Sequence, residues 1–258
     1  MRPSLAVIIP VRNAEETLRK TVKSVQTSLQ YFADTLLGEN VRTKIVIVDD
    51  CSTDDSFRSA KSLAGAGKEI KVLQTERNRG PGAARNLGVK AAATELLCFC
   101  DADDLYFENH IYTCFQIMSE DPRADAVKTG VYTADTIHPH FQKVIQTSLP
   151  LNLCVKRSCH EFVEGFPEDD AYLQLRGGED TSYILAIGYC FRFVFTDTLT
   201  VEYVRRPGNA FDRQLRKFQR APGTVPDSRS REERSAEKAV AKLRAAHLAN
   251  LKRKRADQ

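Results

Sequence analysis

Two short acidic clusters stand where chemistry can be done. Asp49-Asp50 follows the apolar run Ile45-Val46-Ile47-Val48, and Asp101-Ala102-Asp103-Asp104 follows Leu96-Leu97-Cys98-Phe99-Cys100. Clustered carboxylates repel one another, and a divalent cation relieves that repulsion. An Asp-x-Asp at a strand end suits Mg2+ or Mn2+: one or two carboxylates hold the ion, and water and diphosphate oxygens complete the octahedron. A lone Asp-x-Asp reads mostly as helix capping in solvent; two acidic strand ends on one sheet edge favour metal or nucleotide binding. A third feature is the loop Asn78-Arg79-Gly80-Pro81-Gly82-Ala83-Ala84-Arg85-Asn86. Its glycines let backbone approach a ligand, and the helix it opens offers free N–H groups. It is neither a P-loop nor a dinucleotide fingerprint, because Gly-Lys-Ser/Thr and G-x-G-x-x-G are both missing. Two readings of it stand side by side: a tight turn with Arg85 paired to an aspartate, and direct contact with phosphate.

Strands and helices must alternate to place these groups together. Leu5–Pro10, Thr43–Val48, Ile70–Gln74 and Glu95–Cys100 read as buried strands. Ala14–Tyr31 has helical spacing through Leu18, Val22, Val25 and Leu29. Asp54–Ala64, capped by Ser52 or Thr53, and Ala83–Ala93 supply two further helices. This alternation predicts an α/β fold with a mostly parallel central sheet flanked by helices. Right-handed crossovers put the four strand C-termini on one edge, where open α/β sheets bind ligands. Further on, Ala126–Tyr132, His140–Thr147, Leu153–Arg157 and Phe191–Tyr203 read as strands of a mixed sheet. Phe162–Asp170 reads as a polar loop, and a helix begins at Asp180.

At 258 residues with 42% apolar and 28% charged composition, the chain is an ordinary globular one that needs no disulfide or metal to fold. Its seven cysteines contain no C-x-x-C, so zinc sites and disulfide frameworks are not suggested; Cys98 and Cys100 read as small core residues. The five histidines form no metal-binding motif, and His138-Pro139-His140 reads as a solvated loop. No apolar run approaches the ~20 residues needed to span a bilayer, and the N-terminus has no signal-peptide pattern. A cytoplasmic protein is expected, peripheral to a membrane if its tail binds one. The net charge of +4 is unevenly placed: residues 205–258 hold 16 basic and 6 acidic side chains, against 22 and 28 in residues 1–204. Residues 221–230 read as a linker, and Ser230-x-x-Glu233 as a capping box for a tail helix to about Arg255. That tail reads as a solvated helix, as a membrane-surface or protein-binding helix, or as a nucleic-acid segment; with so modest a net charge no nucleic-acid partner is expected.

The ordered set of motifs resembles the inverting family 2 glycosyltransferases, whose fold is called GT-A. The segments are Val7-Ile8-Ile9-Pro10-Val11-Arg12-Asn13, Ile47 to Ser56, Asn78 to Gly88, Phe99 to Asp104, Gly178-Glu179-Asp180 and Arg205-Arg206-Pro207-Gly208-Asn209. The resemblance implies one catalytic domain over residues 1–210, with a nucleotide-sugar half to about 104 and an acceptor half from 105. A basic linker and helical tail, 211–258, follow. It implies a metal-dependent, hexosyltransferase-like enzyme moving a sugar from a nucleotide-diphospho-sugar, UDP-linked, to a carbohydrate, lipid or protein acceptor. Pro10, Val11, Arg12, Asn13 and Asp50 would hold base and ribose, with Asp50 accepting from a base N–H. Gly80, Pro81, Arg85 and Ala102 would line the nucleotide-sugar site. Asp103 would be the principal ligand of Mn2+ or Mg2+, and Asp101 would face the ribose or a metal-bound water. Asp180, preceded by Glu179, matches the family's catalytic base.

Some positions depart from the family pattern. Arg12 stands where tyrosine is common; its guanidinium can stack on a base. The final loop lacks the histidine that completes the metal shell in many members, and Arg206 is placed to neutralise diphosphate in its stead. Phe162 and Phe166 read as core or loop anchors before sugar platforms. Two competing functions remain on these residues: a nucleotide-sugar-binding module without catalysis, and a sugar-nucleotidyltransferase. The second normally carries a glycine-rich loop after the first strand, and Pro10-Val11-Arg12-Asn13-Ala14-Glu15 has no glycine.

Overall fold

The computed structural model describes residues 3–66, 69–175, 177–207, 209, 211–212, 215 and 231–256. The β-branched runs form β1 (Ser4–Val11), β2 (Arg42–Asp49), β3 (Ile70–Gln74) and β4 (Leu96–Phe99). The remaining strands are β5 (Leu105–Tyr106), β6 (Ala126–Tyr132), β7 (Leu153–Lys156) and β8 (Phe193–Glu202). They make one sheet in the order β3-β2-β1-β4-β7-β6-β8-β5. The first four in space are mutually parallel, so their C-termini share one edge. β7 then runs antiparallel to β4 and β6, while β6 and β8 are parallel.

Alternation along β1 divides the core. Leu5, Val7 and Ile9 face α1 (Leu18–Ala33), whose Leu18, Val22, Val25, Leu29 and Phe32 form its buried stripe. The same layer holds α2 (Ser56–Ala66) and α4 (His110–Glu120), represented by Ala60 and by Ile111 and Cys114. Ala6 and Ile8 point the other way, against Ala84, Val89 and Ala92 of α3 (Pro81–Ala92) and Tyr183, Ile184 and Ile187 of α8 (Glu179–Cys190). Cys98 and Cys100 are fully buried, as expected of small core residues.

α3 lies close on the sheet because Gly88 faces it. A Cβ there would stand 2.5 Å from Ile8 Cγ2 and 3.1 Å from Val48 Cγ2. Both methyls are on stiff β-branched side chains, so Gly88→Ala is expected to cost about 1–3 kcal/mol by overpacking. A denaturant midpoint equal to wild type would contradict this.

Some sequence expectations need correction. His140–Thr147, expected as a strand, lies in helix α5 (Pro139–Ser148). Phe141 and Ile145, one turn apart, are its buried face, and Pro139 sits in the first turn where its missing N–H costs nothing. His138, read as part of a solvated loop, caps that helix: its side chain accepts from the His140 N–H at 3.1 Å. The loop expected over Phe162–Asp170 is present as residues 163–169, between α6 (Arg157–Phe162) and α7 (Asp170–Leu175). At α2 the capping side chain is Asp54, not Ser52 or Thr53; its Oδ1 accepts from the Ser56 N–H at 3.0 Å. Finally, the tail helix α9 (Arg231–Ala256) docks on the body through Val240, which packs with Ala171 and Tyr172, and through Leu251. The 221–230 linker lies outside the described residues.

Candidate active site

The C-terminal ends of β1, β2 and β4 open into a cleft of about 540 Å3. The first turns of α3 and α8 and the Arg206 side chain close its other sides. Pro10, Val11, Arg12, Asp50, Gly80, Pro81, Arg85, Asp101, Ala102, Asp103, Glu179, Asp180 and Arg206 all line it. Asn13, also expected there, stands just outside, in the turn that locks β1 to β2. Its Oδ1 accepts from the Thr53 N–H at 2.9 Å and its own N–H donates to Ser52 Oγ at 3.0 Å. Asn13 and Cys51 both have positive φ, of 50° and 56°. Asparagine tolerates that region; cysteine is held there by the surrounding bonds.

Asp50 organises the side of the cleft expected to hold a nucleotide. One oxygen accepts from Thr75 Oγ1 at 2.8 Å and the Arg79 N–H at 2.9 Å; the other accepts from the Gly80 N–H at 2.7 Å. The carboxylate expected to meet a base thus pins the glycine loop, with Gly80 at φ 87° as the residue able to turn there. Arg12, expected to stack on a base, also clamps the turn after β2, donating to the carbonyls of Asp50 (2.7 Å) and Cys51 (3.0 Å).

Arg85 joins the halves of the cleft. α3 carries it under the sheet edge, where it is 1% exposed. Its NH1 donates to Asp180 Oδ1 and its NH2 to Asp101 Oδ1, each at 2.6 Å. The guanidinium lies 5.1 Å over the Phe166 ring, which in turn stacks on Tyr183 at 3.8 Å. Phe166 is therefore the core anchor it was read as, and what it anchors is Arg85. A second pair sits at the mouth: Arg206 NH2 donates to Asp103 Oδ2 at 2.7 Å. The Arg85–aspartate pair read for the glycine loop is present.

Burial pushes the Asp180 carboxyl above its ordinary value. Neighbouring Glu179 and Asp101 push the same way, and Arg85 and Lys128 pull back without reversing it. Glu179 is raised by burial too. Next to Asp103, Asp104 is fully buried, accepts from the Val204 N–H at 2.9 Å, and keeps Oδ2 without a partner among the described residues. Burial and the two nearby carboxylates raise its proton affinity well above the usual carboxylate range, and its bond to the Val204 N–H ties β8's end to the acidic turn.

A divalent cation fits this donor set. Asp101 and Asp103 offer hard oxygen donors from one turn, and only one oxygen of each is engaged by a described residue. The remaining positions suit water and diphosphate. Among the described residues no group of three or more His, Cys, Asp or Glu is arranged as a ready cage.

Several cleft residues escape motif reading. Tyr172, Glu168 and Asp169 line the cleft from α7 and the loop before it. Glu168 pairs with Arg79 and accepts from Asn86 Nδ2 at 2.7 Å. Only their position before Glu179-Asp180 pointed to them. Lys128, buried in β6, carried no signal, as strand periodicity there gives burial and not charge.

The model of Glycosyl transferase family 2 matches residues 6–158. Among curated proteins, a Rickettsia conorii glycosyltransferase is 29% identical over 71% of this chain and 30% of its own length. The succinoglycan biosynthesis protein ExoU of Rhizobium meliloti is 32% identical over 45% of this chain and 30% of its own. This chain therefore spans about 30% of the length of both relatives. Among solved structures, residues 1–349 of S. aureus TarS, in complex with UDP-GlcNAc, superpose with a TM-score of 0.65 at 22% identity. That match covers 80% of this chain and 60% of the other, and shows a shared fold.

Proposed function

The chain belongs to glycosyl transferase family 2, and we propose that it transfers a sugar, with inversion, from a UDP-linked donor to an acceptor hydroxyl, with Asp180 as general base. The observation that carries this reading is the meeting of Asp50, Asp101, Asp103 and Asp180 with Arg85 and Arg206 around one cleft. The UDP and UDP-GlcNAc held by TarS support a UDP-linked donor here.

The chain's own groups divide the work. The Asp50-pinned loop and Pro10–Arg12 form the wall against which base and ribose lie. Asp103 and Asp101 would hold Mn2+ or Mg2+, which when bound relieves charge on the departing diphosphate. Arg206, released from Asp103, turns its guanidinium to the same diphosphate. The acceptor oxygen attacks the anomeric carbon as the carbon–diphosphate bond breaks opposite to it. Asp180 takes the hydroxyl proton on Oδ2, while Arg85 holds Oδ1 and fixes the carboxylate's orientation. A raised proton affinity makes Asp180 a stronger base than an ordinary carboxylate. It works only when ionised, so kcat/KM falls as pH drops through its raised pKa. The acid limb is expected above the usual carboxylate range of about 4; a profile flat down to that pH would contradict the assignment.

Binding is tested by calorimetry with UDP, UMP and UDP-sugars, with and without Mn2+. UDP should bind more tightly than UMP, and Mn2+ should strengthen UDP alone. Equal affinities would sink the diphosphate reading.

A further inference from the structure

The turn that presents Asp180 is held from outside by the tail helix. Gly177 and Gly178, with φ of 147° and 95°, lead directly into α8, whose first two residues are Glu179 and Asp180. The Gly178 carbonyl accepts from the Ser182 N–H at 3.0 Å and from Ser182 Oγ at 2.8 Å. Ser182 Oγ in turn accepts from Arg244 Nε of α9 at 2.9 Å and meets Tyr172 OH of α7 at 3.2 Å. Arg244 NH2 lies 3.5 Å from the Gly178 carbonyl itself. One turn earlier in α9, Val240 is buried against Tyr172. Val240 Cγ1 would be 3.5 Å from a Cβ at Gly178. Two successive positive-φ glycines make a pliant hinge, and a carboxylate on the next turn inherits its motion.

We propose that Arg244 is a positioning residue for Asp180: through Ser182 and Gly178 it clamps the first turn of α8, making α9 a working part of the transfer machinery. The proposal rests on the reading of Asp180 as the base. Arg244 does not line the cleft, so it is expected to act on turnover and not on nucleotide affinity. A displacement of about 1 Å at the reacting group costs up to about a hundredfold in rate.

The full chain is compared with Arg244→Ala, Arg244→Lys and Leu251→Ala. Leu251 is 1% exposed and docks α9 against a different cluster, so its loss weakens docking without removing the clamp. Two readouts are taken: amide hydrogen exchange at residues 178–182, and kcat beside UDP affinity. Arg244→Ala should raise exchange at that turn and lower kcat by about ten- to a hundredfold. UDP affinity should stay within about twofold of wild type. Arg244→Lys, able to reach one acceptor only, should recover part of both. Leu251→Ala should keep wild-type kcat and exchange at the turn while lowering thermal stability. The proposal is overturned if Arg244→Ala leaves exchange at residues 178–182 unchanged, or if Leu251→Ala loosens that turn and slows turnover as much. Should wild type transfer no sugar from any donor, the functional reading fails by itself, and exchange alone still decides whether the clamp exists.

Discussion

Asp180→Asn is expected to slow transfer by about a hundred- to ten-thousandfold while leaving UDP affinity within a few fold of wild type. Asparagine has the same shape, and its amide oxygen can still accept from Arg85 NH1, so the bond made at 2.6 Å keeps a counterpart and the cleft keeps its form. What is lost is the proton acceptor. Once the acceptor hydroxyl begins to bond to the anomeric carbon, its proton has nowhere to go except to water, which is a much weaker base. The acid limb of the pH profile should vanish with it, because the group that titrates is gone. Rates from UDP release, set beside calorimetric UDP affinities, check both halves. Retention of rate within about tenfold would move the base elsewhere.

Arg85→Met is the second large effect, and it acts on stability and activity together. Arg85 is a fully buried cation shared between two carboxylates, Asp101 and Asp180, with Glu179 nearby. Removing one partner of a buried ion pair leaves charge without compensation and costs about 3–5 kcal/mol. Asp101 and Asp180 retain some access to water, with side-chain exposures of 30% and 19%, so the lower end of that range is expected. Relief comes through protonation: Asp180 takes a proton and stops serving as base. Arg85→Lys keeps the charge but has no fork to span both aspartates, and should lose turnover with a smaller loss of stability. Urea unfolding and turnover measured on both variants check this. Wild-type stability in Arg85→Met would show that the bridge adds nothing.

The parallel half of the fold is plain in the sequence because its strands are short apolar runs with sharp ends. Pro10, Asp49-Asp50 and Asp101 mark the edge of the sheet, and the cleft lies there. The acceptor half is less plain. His140–Thr147 holds β-branched and aromatic residues at positions serving either period, and only the proline–histidine start favours a helix. Motif spacing also brings the charged residues to one place without saying how they pair. It left Arg85 between phosphate and aspartate, and it did not show that Asp50 and Arg12, which the family resemblance sets beside a base, also brace loops. These pairings depend on distances between elements far apart in the chain: Asp180 reaches Arg85 across 95 positions, and Arg206 reaches Asp103 across 103. The docking of α9 was hidden for a related reason. Its helix is alanine-rich and strongly basic, so the apolar positions that dock it, Val240 and Leu251, stand out only against the α7 and α8 surfaces they cover.

The central claim is a direct displacement at the anomeric carbon of a nucleotide sugar in this cleft. NMR of a panel of α-linked UDP-sugars incubated with the full chain, Mn2+ and acceptor hydroxyls reads it most directly. It reports UDP release and the anomeric configuration of the product in one spectrum. With at least one donor, UDP should appear together with a β-linked product, and neither should form with Asp180→Asn. An α-linked product, or no UDP released from any donor, would contradict the account.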